Sequence, residues 1–517
     1  MNKRTAAKGA AFAAMAFFSI GSSNAQTIQV EQGYVSGKTA DAVEAFLGLP
    51  YAATTAGDNR WRAPRPAPAW TGVRQATEFG PACQQQLSGE FGPFTIEYLT
   101  HGDVSEDCLS LNIWRPENTP ATAQLPVMVW IHGGGFSSGT TSVPIYDGAP
   151  LARRGIIVVS VNYRLGVFGF LAHPELTREG GGSGNFGLLD LVAALSWVQT
   201  NIASFGGDPA QITLAGQSAG SMAIHDLMAS PSAKGLFARV ISESGPGIGY
   251  PPQPIAAAEE KGKKLLAAAG VDSVVDLRKL PPEDLQKAAA SLGSGLLNFA
   301  PVIDGALLPS NPYVGGADAF NDTPILAGMN ADEAFSLPKT DIAGLNEEID
   351  TYFGQMSEQA RNLYAVTNPA EARDASRRLR RERGIASTYR WAASHANASK
   401  QPIYLYLFEH VEPGSEEWGA FHTSEVPYAL QTLDKASNRS FGAVDLAVSE
   451  MMASYWTNFV KTGDPNGKDA SNWPPFRQDQ PKMRVLDEHP RTEKMLNRDI
   501  RNFYERVSEG GNRLTLF

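Results

Sequence analysis

The stretch that most constrains the fold runs from Gln211 to Met228. Gln211-Ile212-Thr213-Leu214-Ala215 is a strand candidate, and Ser221 to Met228 reads as the opening of a helix, with Met222, Ile224, Leu227 and Met228 apolar. Between them lies Gly216-Gln217-Ser218-Ala219-Gly220, a G-x-S-x-G turn with a serine at its apex. A strand that reverses into a helix over so few residues leaves no room for a side chain at Gly216 or Gly220, which would meet the neighbouring strand or helix. The same turn lifts the Ser218 hydroxyl clear of the backbone, the layout of a nucleophile elbow. A glycine-rich turn with an incidental serine has the same local pattern, so the rest of the chain has to separate the two.

The remaining pattern predicts an α/β fold. Pro126 to Ile131 (PVMVWI) and Ile156 to Val161 (IIVVSV) are continuous apolar runs, as strands buried on both faces require. Further strands are expected at Glu106 to Trp114, with Leu109, Leu111 and Ile113 on one face, and at Val240 to Ser242, Pro324 to Gly328 and Pro402 to Glu409. Leu188 to Ile202 carries helical periodicity, with Leu191, Ala194, Leu195 and Val198 on one stripe. Phe46 to Ala52 reads as a turn-rich apolar segment. Strands alternating with helices predict a large, mostly parallel sheet covered on both faces. Residues 250–300 and 340–400 are polar, Ala-rich and helical, and are expected as insertions over the active site. No internal repeat or low-complexity linker divides the chain, which favours one large domain over residues 26–517.

The first 25 residues read as a leader. Lys3, Arg4 and Lys8 precede an apolar run from Gly9 to Ile20, and Ser23-Asn24-Ala25 is a small-residue cleavage site before Gln26. Export to the periplasm or the medium is therefore expected. Beyond this run no stretch of about 18 uninterrupted apolar residues follows, so stable membrane insertion is not expected. The net charge of −10 opposes nucleic acid as a partner, because phosphate binding needs a basic face. Cys83 and Cys108 are the two cysteines, and in an exported chain a disulfide between them is expected. No metal or organic cofactor is called for. Two cysteines without nearby histidines cannot complete a zinc site.

A serine hydroxyl needs a base to take its proton, a group to orient that base, and donors for the oxyanion that forms. The loop His132-Gly133-Gly134-Gly135 follows a buried strand and offers backbone N–H groups unobstructed by side chains. The N–H of Ala219, at the start of a helix, is a third donor. A phosphate-binding loop is excluded by Phe136-Ser137-Ser138, which leaves no Walker lysine. Acid candidates follow the strand at 324–328, as Asp332 and Glu333. Base candidates follow the strand at 402–409, as His410 and His422. The pattern alone leaves both pairs open. Arg373, Arg377, Arg378, Arg380, Arg381 and Arg383 form a basic helix face, read as solvated, with an anion-binding rim near the substrate as the functional alternative.

With these residues in view the chain resembles the type-B carboxylesterases, the α/β-hydrolase family that includes the cholinesterases. The resemblance rests on EDCLSLNIW at 106–114, the loop at 132–136, GNFGLLD at 184–190, the elbow, Asn330 to Glu333, and TGDPN at 462–466. It implies Ser218 as nucleophile, His422 as base and Glu333 as orienting acid. Gly134, Gly135 and Ala219 would be the oxyanion donors, and the Cys83–Cys108 bridge is supported. The implied activity is hydrolysis of small-molecule carboxylic esters through an acyl-enzyme, without cofactor. Amide, carbamate or thioester hydrolysis, and the adhesion role of triad-less relatives, are the alternatives. Gln217 stands where the family usually has Glu, which weakens the case for cationic choline esters. Ala334 replaces a common glycine after the acid, and Leu191 a common glutamine.

Overall fold

The computed structural model describes residues 23–245, 251–293, 297–313, 321–436, 438–467, 472–511 and 514–515. The expected leader therefore lies outside the described residues apart from its last three. Among the described residues one sheet has twelve strands. In chain order these are β1 (Ser23–Asn24), β2 (Lys38–Ala40), β3 (Val43–Pro50), β4 (Ser110–Pro116), β5 (Leu125–Ile131) and β6 (Ile157–Val161). They continue as β7 (Gly207–Gln217), β8 (Arg239–Glu243), β9 (Ile325–Asn330), β10 (Ile403–Phe408), β11 (Lys482–Leu486) and β12 (Arg491–Lys494). Their spatial order is β1-β2-β3-β4-β6-β5-β7-β8-β9-β10-β11-β12.

Every pairing from β6 to β11 is parallel, and the pairings outside it are antiparallel. The apolar run at 126–131 is central for that reason. β5 has parallel neighbours on both sides, and Val127 to Ile131 are all buried. The segment at 46–52 differs from its expectation. It is most of β3, an antiparallel strand whose register against β4 shifts between Phe46 and Leu49. The shift is built on Gly48 at φ +66, where a Cβ would sit 2.6 Å from the Glu78 carbonyl oxygen. A glycine bulge inside a strand reads as a turn when only the residue order is known. The short strand β11 and the edge strand β12 beside it carry no continuous apolar run and had no sequence signal.

Among the described residues eight longer helices follow in chain order: α1 (Phe186–Asn201), α2 (Ala219–Met228), α3 (Ile255–Ala269), α4 (Pro282–Ser291), α5 (Ile342–Phe353), α6 (Ala372–Ala398), α7 (Ala443–Thr462) and α8 (Arg498–Glu509). Helices cover both faces of the sheet. α1 and α2 pack on each other and on β7, while α7 packs on β5 and β7. The α1 stripe is fully inside, with Leu191, Ala194 and Val198 at 0% exposure. Leu191 is thus a packing residue.

The two helical insertions have different fates. Gln286, Ala289 and Ala290 of α4 line the large cavity beside Ser218. The 340–400 block instead splits: Leu345, Ile349 and Phe353 of α5 meet Leu379 of α6 and Phe503 and Tyr504 of α8 in a separate apolar cluster, while Ile385, Tyr389 and Trp391 of α6 join the main core. Among the described residues none from this block lines that cavity. A helix pair can satisfy its apolar stripe on any partner, and here the C-terminal helix supplies it.

Candidate active site

Ser218 stands between the end of β7 and the start of α2, with φ 57° and ψ −124°, a region that side-chain-bearing residues rarely occupy. Its N–H donates to the Glu243 carbonyl oxygen at 2.9 Å, which ties the apex to the end of β8. The turn is as tight as the motif demands. A Cβ on Gly220 would lie 2.0 Å from the Ile131 carbonyl oxygen, and one on Gly216 would lie 2.7 Å from it. The loop after β5 bends through positive φ at Gly134 (+104), Gly135 (+61) and Phe136 (+57). Its turn is closed by the Ser137 and Ser138 N–H groups, both donating to the Gly134 carbonyl oxygen at 3.0 Å. Gly134 and Gly135 face the same cavity as Ser218. The Ala219 N–H opens α2 and so has no partner within the helix.

The acid and base candidates sit on loops after β9 and β10. These loops are laced together as a short extension of the sheet. The Asp332 N–H donates to the Ala420 carbonyl oxygen at 3.0 Å, and Asp332 and Phe421 form a parallel bridge. His422 donates its Nδ1–H to Glu333 Oε2, and both are buried. Glu333 Oε1 accepts the Asn330 N–H at 2.7 Å. The Asn330 side chain donates in turn to Glu425 Oε2 at 2.5 Å and to the Phe421 carbonyl oxygen at 2.7 Å. The other members of each pair point elsewhere. His410 Nε2 meets Asp445 Oδ1 at 2.8 Å, and Asp332 faces Arg377 and Arg381. Ala334 is not among the residues with positive φ, so its Cβ costs nothing there.

Gln217 reaches the other side of the imidazole. Its Nε2 is 3.2 Å from His422 Nε2, so its N–H can donate to the unprotonated ring nitrogen. That arrangement is compatible with Nδ1 carrying the hydrogen that goes to Glu333. Two further buried carboxyls lie close by. Burial pushes Glu243 up to about 8, against the Trp456 indole N–H that donates to it. Burial, reinforced by Glu243 and Glu333, also pushes Glu425 well up.

Ser218, His422 and Gln217 open into a cavity of about 680 Å³. Among the described residues its wall carries no Asp, Glu, Lys or Arg. One side is aromatic. Phe91, Phe94 and Phe335 line it, with Phe94 and Phe335 centroids 6.2 Å apart and Phe335 edge-on to His422 at 5.0 Å. The segment 91–98 that supplies part of this wall lies inside the loop closed by the Cys83–Cys108 disulfide. The sequence offered FGPF and a tyrosine there, but nothing local says that they fold back onto the site. Phe299 lines the cavity. Phe136 does not; it is buried against Phe170, with centroids 5.1 Å apart. The arginine helix is not a rim either. Arg377 donates to the Glu417 carbonyl oxygen at 2.7 Å, and Arg381 pairs with Glu409 at 3.0 Å. Neither lines the cavity.

A serine at a strand–helix elbow, a histidine backed by a carboxyl group and a glycine loop stand together at the head of a mostly parallel sheet, the architecture of the α/β-hydrolases. The family model of the carboxylesterases matches residues 24–504, and the chain belongs to that family. It is 35% identical to the fumonisin B1 esterase of Sphingopyxis macrogoltabida, covering 87% of this chain and 84% of that one. It is 34% identical to the para-nitrobenzyl esterase of Bacillus subtilis (strain 168), covering 89% and 95%. It is 35% identical to the phenmedipham hydrolase of Pseudarthrobacter oxydans, covering 88% and 93%. The solved structure of a thermophilic PNB esterase matches with a TM-score of 0.79 at 32% identity, covering 92% of this chain and 99% of that one.

Proposed function

We propose that the protein is a serine carboxylesterase working through an acyl-enzyme, with Ser218 as nucleophile, His422 as base and Glu333 as orienting acid. The observation that carries this reading is convergence: Ser218, His422, Gly134 and Gly135 face one cavity while Glu333 holds His422 from behind. His422 Nε2 takes the Ser218 proton as the hydroxyl oxygen bonds to the ester carbonyl carbon. Glu333 stabilises the imidazolium and keeps its ring oriented. The N–H groups of Gly134, Gly135 and Ala219 receive the oxyanion, an interaction worth about 10²–10³ in rate per donor. The imidazolium then protonates the leaving alkoxide, and the alcohol departs. Water attacks the acyl-enzyme by the same proton transfers and regenerates Ser218.

The uncharged, aromatic wall supports neutral esters with apolar groups as substrates. An anionic ester would lose its water without gaining a counter-charge. The Cys83–Cys108 bridge supports an oxidising compartment, reached by cleavage of the leader before Gln26, with residues 26–517 as one catalytic domain. Ser218→Ala is expected to abolish turnover of neutral esters and leave the melting temperature unchanged. An organophosphonate should label wild-type protein at Ser218 and fail to label the variant. Undiminished hydrolysis by Ser218→Ala would overturn the reading.

A further inference from the structure

The glycine loop after β5 is flexible at its glycines and strained at Phe136, held at φ +57, so contacts from outside it have to fix its shape. Its far end, Gly139, has φ +115 and packs directly on its start. A Cβ there would lie 2.3 Å from His132 Nδ1 and 2.5 Å from the Gly133 carbonyl oxygen. Wherever Gly139 sits, Gly133 and the N–H groups that follow it must go too.

Gly139 is held at both of its polar groups by one side chain. Its N–H donates to Gln85 Oε1 at 2.9 Å, and Gln85 Nε2 donates to its carbonyl oxygen at 2.9 Å. The remaining Nε2 hydrogen goes to the Cys83 carbonyl oxygen, also at 2.9 Å. Gln85 is 5% exposed, and its amide has both hydrogens and its oxygen engaged. Its own backbone lies two residues from Cys83, which the disulfide fixes to Cys108 beside β4. Gln85 therefore joins a covalently anchored segment to the loop that presents Gly134 and Gly135.

We infer that Gln85 is a positioning residue for the oxyanion donors, acting through Gly139. This rests on the proposed role of Gly134 and Gly135. It assigns the disulfide-bridged segment a part in transition-state stabilisation, beyond its contribution of aromatic wall. A primary amide is the side chain that meets the N–H and C=O of one residue together. A carboxylate would accept from the N–H and repel the carbonyl oxygen, and an aliphatic chain of the same length would do neither.

The test uses the full-length protein. Gln85→Met keeps the volume and removes all three hydrogen bonds. Its kcat on a neutral ester is expected to fall about 10- to 100-fold, the scale of a displaced donor, with KM within about threefold. A trifluoromethyl ketone bonds to the Ser218 oxygen, its carbonyl becomes an oxyanion, and the serine proton passes to His422. Its affinity should fall by the same factor as kcat, while that of the matching secondary alcohol stays unchanged. A kcat within threefold of wild type, or equal losses for ketone and alcohol, would overturn the inference. Gln85→Glu gives an independent reading if the Met variant does not fold. Its carboxyl regains a donor when protonated, so its kcat relative to wild type should rise as pH falls, and a flat ratio would overturn the inference. Should Ser218→Ala remain active, the parent reading fails as well. If Ser218→Ala is dead and Gln85→Met is normal, only this inference fails.

Discussion

The two sides of the cleft are built by different means. On the nucleophile side, most of the positioning is done by backbone: Ser218 at φ 57°, glycines that admit no Cβ, and loops whose N–H and C=O groups close on each other, with the Gln85 amide bracing the far end of the glycine loop. On the base side, it is done by buried side chains: Glu333, Asn330, Glu425 and Gln217 hold His422 from several directions. Backbone positioning leaves no adjustable atom, so a single added methyl group destroys it. Side-chain positioning can lose a charge and keep its shape, so it fails in chemistry before it fails in folding.

The largest effect should therefore come from Gly220→Ala. The new Cβ would be 2.0 Å from the Ile131 carbonyl oxygen at the end of β5 and 2.8 Å from that of His132 at the start of the glycine loop, both backbone atoms. Loss of soluble, folded protein is expected, with any folded fraction inactive. Expression yield and circular dichroism measure this. Normal folding and turnover would mean that the elbow can relax, and the contrast between the two sides would lose its basis.

Glu333→Gln should leave the protein folded, since the amide oxygen can still accept the Asn330 N–H. It should lower kcat/KM by about 10⁴, because the amide nitrogen facing His422 Nδ1 favours the wrong tautomer. A coincident collapse of the melting temperature would show that this side, too, is held by its fold rather than by its charge.

The smallest and sharpest difference is in pH. On the nucleophile side, burial lowers His132 from 6.5 to about 4. Folded His132 stays neutral where the unfolded chain would be protonated, so its stability contribution is present above pH 6.5 and lost as pH falls towards 4. On the base side, the loop between His410 and His422 carries Glu412. Burial raises it from 4.5 to about 7, with Arg439, the Tyr98 hydroxyl and Ser415 opposing and Glu97 reinforcing. Folded Glu412 keeps its proton where the unfolded chain has lost it. Its contribution is thus present below pH 4.5 and lost as pH rises through about 7. Glu412→Gln should remove the decline in melting temperature between pH 4.5 and 7 that belongs to this group, and leave the acid-side decline in place. Unaltered slopes on both sides would reject the assignment.

Much of the architecture was legible because it is written in local chemistry. The continuous apolar runs at 126–131 and 156–161 specify strands buried on both faces. The α1 stripe specifies a helix against them, and G-x-S-x-G specifies a turn that only two glycines can make. The bulged strand at Gly48 and the short strands β11 and β12 were not legible, because a bulge and a place near the sheet's end are properties of pairing rather than of composition. The arginine run had a helical period, but only its neighbours at Asp332 and Glu409 show that Arg377 and Arg381 pair within the molecule.

Sequence by itself determined the elbow, the glycine loop and the parallel core, because backbone sterics and burial act within a few residues. The pattern left Asp332 beside Glu333 and His410 beside His422 as equals; family resemblance implied a choice, and the residues themselves did not. Tertiary structure alone decided which of each pair turns inward, since that depends on how two loops lace across the end of the sheet. It alone decided that the disulfide-bridged segment lends its aromatics to the cavity wall and Gln85 to the glycine loop. Contacts between residues more than fifty positions apart carry no period or composition that a chain read in order can show.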